Sequence, residues 1–262
     1  MSRSFDIIGS KEKAVAIIEI PNEERGKEKE IAKALMEKQK NVKSVLKKQS
    51  SRAGKHRIRK YKLIAGEKNT EVLHKEHGYV LKLDPQKVYF SVREGTERQR
   101  VAEQVKAGEL VMVMFAGVGP YAIAIAKNQP DVKKIIAVEM NHDAVVYMKY
   151  NIKINKLSHK VYHTLGDVRE ACKKWYGKCD RIVMPLPLGA ESFLDIAVAC
   201  AKPGATIHFY SWGNKESLYN AAEKVIDESL KKLNREYKIT GRRIVLPYAP
   251  GRYKVCVEFK IL

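Results

Sequence analysis

Apolar positions follow two different rhythms along the chain. In the first third they come as short strand-like runs. Residues 15–20 (VAIIEI) predict a strand ended by Pro21, and residues 42–46 a shorter one. Between them, residues 23–39 carry Ile31, Ala34, Leu35 and Lys38 at helical spacing. Residues 56–64 alternate, and residues 71–77 and 79–83 predict two strands turned at Gly78. The rhythm then changes. Residues 96–106 predict a helix capped by Thr96, with Val101, Ala102 and Val105 inward. From there buried strands at 110–115, 135–138, 160–164, 181–184 and 206–210 alternate with helices at 121–128, 142–154, 190–201 and 215–234. That order predicts a doubly wound α/β sheet of Rossmann type. Two last strands, 239–246 and 253–261, are joined through Pro247, Pro250 and Gly251 as a C-terminal antiparallel hairpin. The expected division is a small α+β domain over residues 1–95 and a Rossmann-type domain over residues 96–262.

Composition narrows the class. Of 262 residues, 45% are hydrophobic and 31% charged, enough apolar material for a core. No apolar run approaches the ~20 residues of a membrane span. The opening MSRSFDIIGS lacks the apolar centre of a signal peptide, so the sequence reads as cytoplasmic. Fifty Lys and Arg against thirty Asp and Glu give a net charge of +20. Such an excess points to a polyanion, nucleic acid first; the alternative is a solvated Lys-rich surface. The excess is concentrated: residues 40–62 hold ten Lys or Arg and no acid. The cysteines at 172, 179, 200 and 256 form no CxxC pair and read as buried hydrophobes; no metal site is expected. His74, His77 and His208 have no metal-like neighbours in sequence and read as structural.

The chemistry starts at LVMVMFAGVG (residues 110–119), a buried strand entering a Gly-rich turn, with Pro120 opening a helix. Gly117 and Gly119 allow a ligand close to the backbone. Glu139 ends the next strand twenty residues after Gly119, the spacing at which a carboxylate accepts both ribose hydroxyls of an adenosine cofactor. Ala122 and Pro120 replace parts of the dinucleotide fingerprint without excluding NAD. Gly166-Asp167 follows the strand at 160–164, where methyltransferase folds place an Asp against the adenine amine; Asp167 also suits a helix N-cap for residues 168–176.

In order, FAGVGPYAIAIA, AVEMN, GDVRE, VMPLP, HFYSW and YAPGRYKVCVEF resemble the archaeal and eukaryotic tRNA guanine-37 N1-methyltransferase family, with wybutosine-pathway aminocarboxypropyl transferases as close cousins. Residues 58–98 resemble that family's middle domain, so the likeness covers essentially the whole chain. It implies a domain binding S-adenosylmethionine through Arg98, Phe115, Gly117, Gly119, Glu139, Met140, Asp167, Val168 and Pro187. It implies that the basic N-terminal unit holds the anticodon stem-loop of tRNA, with Lys47, Lys48, Arg52, Lys55, Arg59, Lys60 and Arg93 toward RNA. Glu97 matches the family Glu that removes the guanine N1 proton; by residue type alone it is also a first-turn helix acid. Arg57, with Arg59 next, matches the Arg expected to stabilise charge building on O6. A monomer or weak dimer is expected, since no dimerisation stripe is evident.

The chain departs from the family at three points. Pro185 stands where the family has an Asn that holds the target base or the cofactor, leaving the backbone carbonyls of Met184 or Pro185 to receive a base amine. Val113 stands where the first strand often carries Asp. The extra small domain that often precedes the family's middle domain is not matched. The readings are therefore N1-methylation of guanosine 37, a related transfer to a tricyclic wybutosine-pathway guanosine, or a non-catalytic tRNA-binding paralogue. Tyr210, Trp212 and Tyr248 are candidates for stacking a flipped base.

Overall fold

The structure is a computed structural model describing residues 5–49 and 59–262. Arg52, Lys55 and Arg57 lie outside the described residues. A four-stranded sheet comes first, in the order β1 (Phe5–Gly9), β2 (Ala14–Ile18), β3 (Val42–Lys48) and β4 (Tyr61–Gly66). The β2–β3 step is parallel, with α1 (Glu28–Lys38) as the crossover, and the others are antiparallel. Strand β1 was not anticipated: FDIIG is short, and only its pairing with β2 secures it. Helix α1 starts later than its spacing suggested, because Gly26 takes φ 95° and ends the preceding turn.

The second sheet has seven strands. They are β7 (Leu110–Met114), β8 (Lys134–Glu139), β9 (Val161–Leu165), β10 (Cys179–Met184), β11 (Ala201–Asn214), β12 (Tyr237–Ala249) and β13 (Arg252–Ile261). Their order is β12-β13-β11-β10-β7-β8-β9. The five strands from β11 to β9 are parallel, and β12 and β13 form the antiparallel hairpin. The expected doubly wound sheet and terminal hairpin are present. The order reverses between β7 and β10, and ligands sit outside the carboxyl ends of strands at such a switch point. Strand β11 outruns the predicted 206–210, since β13 pairs along it from Thr206 to Asn214. Pro247 is tolerated because β12 is an edge strand. The connecting helices are α2 (Gly95–Glu103), α3 (Pro120–Asn128), α4 (His142–Ile154), α5 (Val168–Ala171), α6 (Leu194–Cys200) and α7 (Asn220–Lys232). Where one helix was predicted over 190–201, a 3-10 turn at Ala190–Phe193 leads into α6. Among the described residues no helix is long and apolar enough to cross a membrane.

A two-stranded ribbon, β5 (Val72–Glu76) with β6 (Tyr79–Leu83), belongs to neither sheet. It is stitched to α4 by two asparagines one turn apart. Asn151 accepts from Lys82 N–H at 2.6 Å and donates to its carbonyl at 3.1 Å. Asn155 does the same for Val80, at 3.1 and 2.7 Å. The two carboxamides act as a substitute strand edge. Asn151 is fully buried, so Asn151→Leu strands the Lys82 backbone groups and is expected to cost about 2–4 kcal/mol, read as a lowered urea midpoint.

Candidate active site

A cavity of ≈ 420 Å³ opens at the carboxyl ends of β7 and β8, where the topology predicts a ligand. One end of it is built from backbone. Gly117 (φ 56°) and Gly119 (φ 87°) turn the chain from β7 into α3, and Phe115 before them also takes a positive φ of 54°. A Cβ on Gly119 would lie 3.0 Å from Met148, whereas one on Gly117 would meet only the Tyr89 carbonyl oxygen, at 3.9 Å. Glu139 is fixed by three backbone donors: Gly117 N–H at 2.8 Å on one oxygen, and Met140 and Asn141 N–H at 2.9 and 2.8 Å on the other. Asp167 caps α5, accepting from Arg169 N–H at 2.9 Å. It faces the same cavity as Glu139, Phe115 and Met140. A carboxylate held by backbone amides beside a Gly turn, with a second carboxylate across the cavity, fits an adenosine.

The opposite wall is formed by Pro185, Leu186 and Pro187 after β10 and by Glu94, Arg98 and Tyr121 from the α2–α3 side. The Met184 carbonyl, one candidate acceptor for a base amine, already receives Leu186 N–H at 2.7 Å. Arg98 is buried and forked onto Glu76 of β5, at 2.7 and 2.5 Å, with its third contact to the Ser91 carbonyl at 3.0 Å. Burial would raise the Glu76 pKa; hydrogen bonds from His74 and Arg98 overcome it and hold it down at about 2.

Glu97, on the first turn of α2, stands behind the cavity wall. It is buried, but it is not among the side chains lining the cavity. Its two oxygens take Arg100 in a fork at 2.8 and 2.7 Å, and one also accepts the Tyr210 hydroxyl at 2.6 Å. Tyr210 is fully buried and so does not offer a stacking face, whereas Trp212 and half-exposed Tyr248 pack on each other at 4.4 Å. Val168 is buried beneath Asp167 and does not line the cavity.

On this wall the carboxylate that reaches the cavity is Glu94, which was not among the residues singled out from the sequence. It is paired with Lys254 of β13 at 2.8 Å and accepts the Tyr89 hydroxyl at 3.1 Å. Burial acts to raise its pKa, and the Lys254 charge beside it brings the net shift below the ordinary carboxylate range. The available signal was Lys254 and Glu258 on a strand with neighbours on both sides, where a charge requires a partner.

A second polar chain runs behind Glu97. Arg100 bridges it to Glu258 at 2.5 Å, and His208 lies 3.1 Å from Glu258 through Nδ1 and 2.8 Å from Arg181 through Nε2. An Arg can only donate, so Nε2 accepts and Nδ1 carries the proton given to Glu258. His208, Cys256 and Glu258 are close enough to hold a metal, neighbours that the sequence did not reveal, but both His208 nitrogens are committed to these bonds. Of the basic residues expected to meet RNA, Lys47 pairs with Glu28 at 2.8 Å, Lys48 with Glu19 at 3.3 Å and Arg93 with Asp6 at 2.6 Å. Arg59 buries its Nε without a partner among the described residues, and Lys60 follows it just before β4.

Residues 72–240 match the family model for the TRM5/TYW2 methyltransferase domain, and residues 1–70 match that for the TYW2 N-terminal domain. The chain is 42% identical to the tRNA (guanine(37)-N(1))-methyltransferase Trm5b of Pyrococcus abyssi, over 98% of this chain and 74% of that protein. The crystal structure of that relative superposes with a TM-score of 0.87. Trm5 of Methanocaldococcus jannaschii, solved with adenosine, is 37% identical, with a TM-score of 0.82 over 98% of this chain and 72% of that one. The tRNA 4-demethylwyosine(37)-methyltransferase Taw21 of Saccharolobus solfataricus is 32% identical over 98% of this chain and 94% of that protein.

Proposed function

The chain belongs to the TRM5/TYW2 methyltransferase family, and from that membership and the cavity we propose that it transfers a methyl group from S-adenosylmethionine to N1 of guanosine 37 in tRNA. The observation that carries the reading is one cavity with an adenosine-type end, at Gly117, Glu139 and Asp167, and a charged wall from α2 and its approach. Glu139 would accept the ribose hydroxyls and Asp167 the adenine amine. Phe115, Met140 and Pro187 would flank the cofactor, Gly119 and Val168 would support its cradle, and Arg98 would hold the α2 wall against it. When bound, the cofactor supplies an electrophilic methyl group on a sulfonium. The protein's task is to free the lone pair of N1, which is protonated at neutral pH, and Glu97 is the base in this reading. Arg57, or Arg59 after it, would stabilise charge on O6.

The basic unit of residues 1–95 would hold the anticodon stem-loop, with the enzyme acting as a monomer. Lys47 and Lys48 sit in partly exposed ion pairs, which are weak enough to exchange for phosphates. Neutralising both is expected to flatten the log–log salt dependence of tRNA binding by about 1–2, at roughly 0.7–0.9 for each phosphate contact, read by titration across a salt series.

The test of the reaction is methyl transfer from labelled cofactor to tRNA transcripts with guanosine or adenosine at position 37. Transfer to the guanosine RNA alone is expected, and transfer to neither, with cofactor still bound, contradicts it. Pro185 favours a second reading, because the apolar Pro185-Leu186-Pro187 wall offers no side-chain polar group to a guanine edge. A tricyclic wybutosine-pathway guanosine would then be the acceptor, as for the relative Taw21. Mass analysis of the product RNA distinguishes a methyl from an aminocarboxypropyl gain.

A further inference from the structure

If Glu97 is the base, the proton has to reach a carboxylate that does not line the cavity. Two hydroxyls span the gap. Tyr121 lines the cavity, its Oη lies 3.3 Å from Tyr210 Oη, and Tyr210 Oη lies 2.6 Å from Glu97 Oε1. All three side chains are buried. The direction of this chain is fixed from its carboxylate end. An ionised Glu97 can only accept, so the single Tyr210 proton points at it. Tyr210 Oη must then accept, so the Tyr121 proton points at Tyr210. Among the described residues nothing donates to Tyr121 Oη, so its lone pairs are left to accept.

We propose that Tyr121 and Tyr210 form a proton relay that carries the guanine N1 proton from the cavity to Glu97. The proposal rests on the reading of Glu97 as the base. The bookkeeping closes in one concerted shift. The N1–H bond breaks and its proton joins Tyr121 Oη, the Tyr121 proton moves to Tyr210 Oη, and the Tyr210 proton moves to Glu97 Oε1. Both tyrosines end neutral, as they began, and Glu97 ends protonated. The pair of electrons left on N1 is the one that takes the methyl group, so the negative charge of Glu97 and the positive charge of the sulfonium disappear together. Burial pushes both tyrosines well above their ordinary pKa, so neither dwells as a tyrosinate and the shift is concerted. Arg100, forked onto Glu97, sets a positive charge against the terminal acceptor.

The relay makes a claim that a packing role does not. Several protons move in one step, so the single-turnover rate in mixtures of light and heavy water should fall along a bowed curve for the wild-type enzyme. Tyr121→Phe keeps the ring and removes one hydroxyl. It should bind S-adenosylmethionine with unchanged affinity, lose about tenfold or more in single-turnover rate within the range of general-base effects, and give a straighter isotope curve. Tyr210→Phe should behave alike. Glu97→Gln run beside them separates the two ideas. A near-wild-type Tyr121→Phe rate with an inactive Glu97→Gln overturns the relay and leaves the base standing. An active Glu97→Gln removes the base and the relay with it. A straight isotope curve in the wild type also overturns the relay.

Discussion

Glu97→Gln is expected to retain cofactor binding and lose on the order of 10²–10⁴ in single-turnover methyl transfer, the range of a lost general base. The substitution is isosteric and keeps an oxygen to accept from Tyr210, so the hydroxyl at 2.6 Å retains a partner. It removes the negative charge that receives the N1 proton in the proposed mechanism. Arg100 is not orphaned, since Glu258 still receives it at 2.5 Å. The cavity's adenosine end lies on β7, β8 and α5, away from the change, so cofactor affinity measured by calorimetry should stay within a factor of two or three. Single-turnover kinetics are required, because slow product release would mask the chemical step. Turnover near the wild-type rate would remove Glu97 from the mechanism.

How much of this site was readable in advance depends on sequence separation. The cofactor end was legible because its parts are local. Strand β7, the glycine turn and Glu139 at the end of β8 form one βαβ unit whose spacing is set by geometry. The centre of the seven-stranded sheet was legible for the same reason, as β7 and β8 are built on runs of consecutive apolar residues. The charged wall was not legible. Glu94 and Lys254 are 160 residues apart, and Tyr210 is 113 residues from Glu97. Their partnership exists only because β13 folds back between β11 and β12 and presents its charged residues to α2 and the turn before it. Glu97 illustrates the limit well. The motif GTER placed it on the first turn of α2, and that was right. Which side of the helix faces the cavity depended on tertiary packing, and three residues decide between Glu94 on the cavity wall and Glu97 behind it.

That buried Glu94–Lys254 pair leads to the other large effect. Lys254→Met is expected to destabilise the protein by about 3–5 kcal/mol, the cost of leaving an uncompensated buried charge. Lys254 is 2% exposed and Glu94 5%, so water cannot replace the lost partner. The Tyr89 hydroxyl at 3.1 Å is then the only side-chain hydrogen bond left to Glu94 among the described residues, and a neutral donor offsets part of the charge at most. The double variant Glu94→Leu, Lys254→Met should recover nearly all of the loss, because replacing both ions with apolar side chains of similar size is commonly neutral or stabilising. Urea midpoints of wild type, both single variants and the double variant close this cycle. Stability and activity should then part company. Glu94 faces the cavity, so a restored fold with an apolar patch there should turn over more slowly than the wild type at equal stability. A double variant that matches the wild type in both urea midpoint and single-turnover rate would show that the pair serves neither folding nor catalysis.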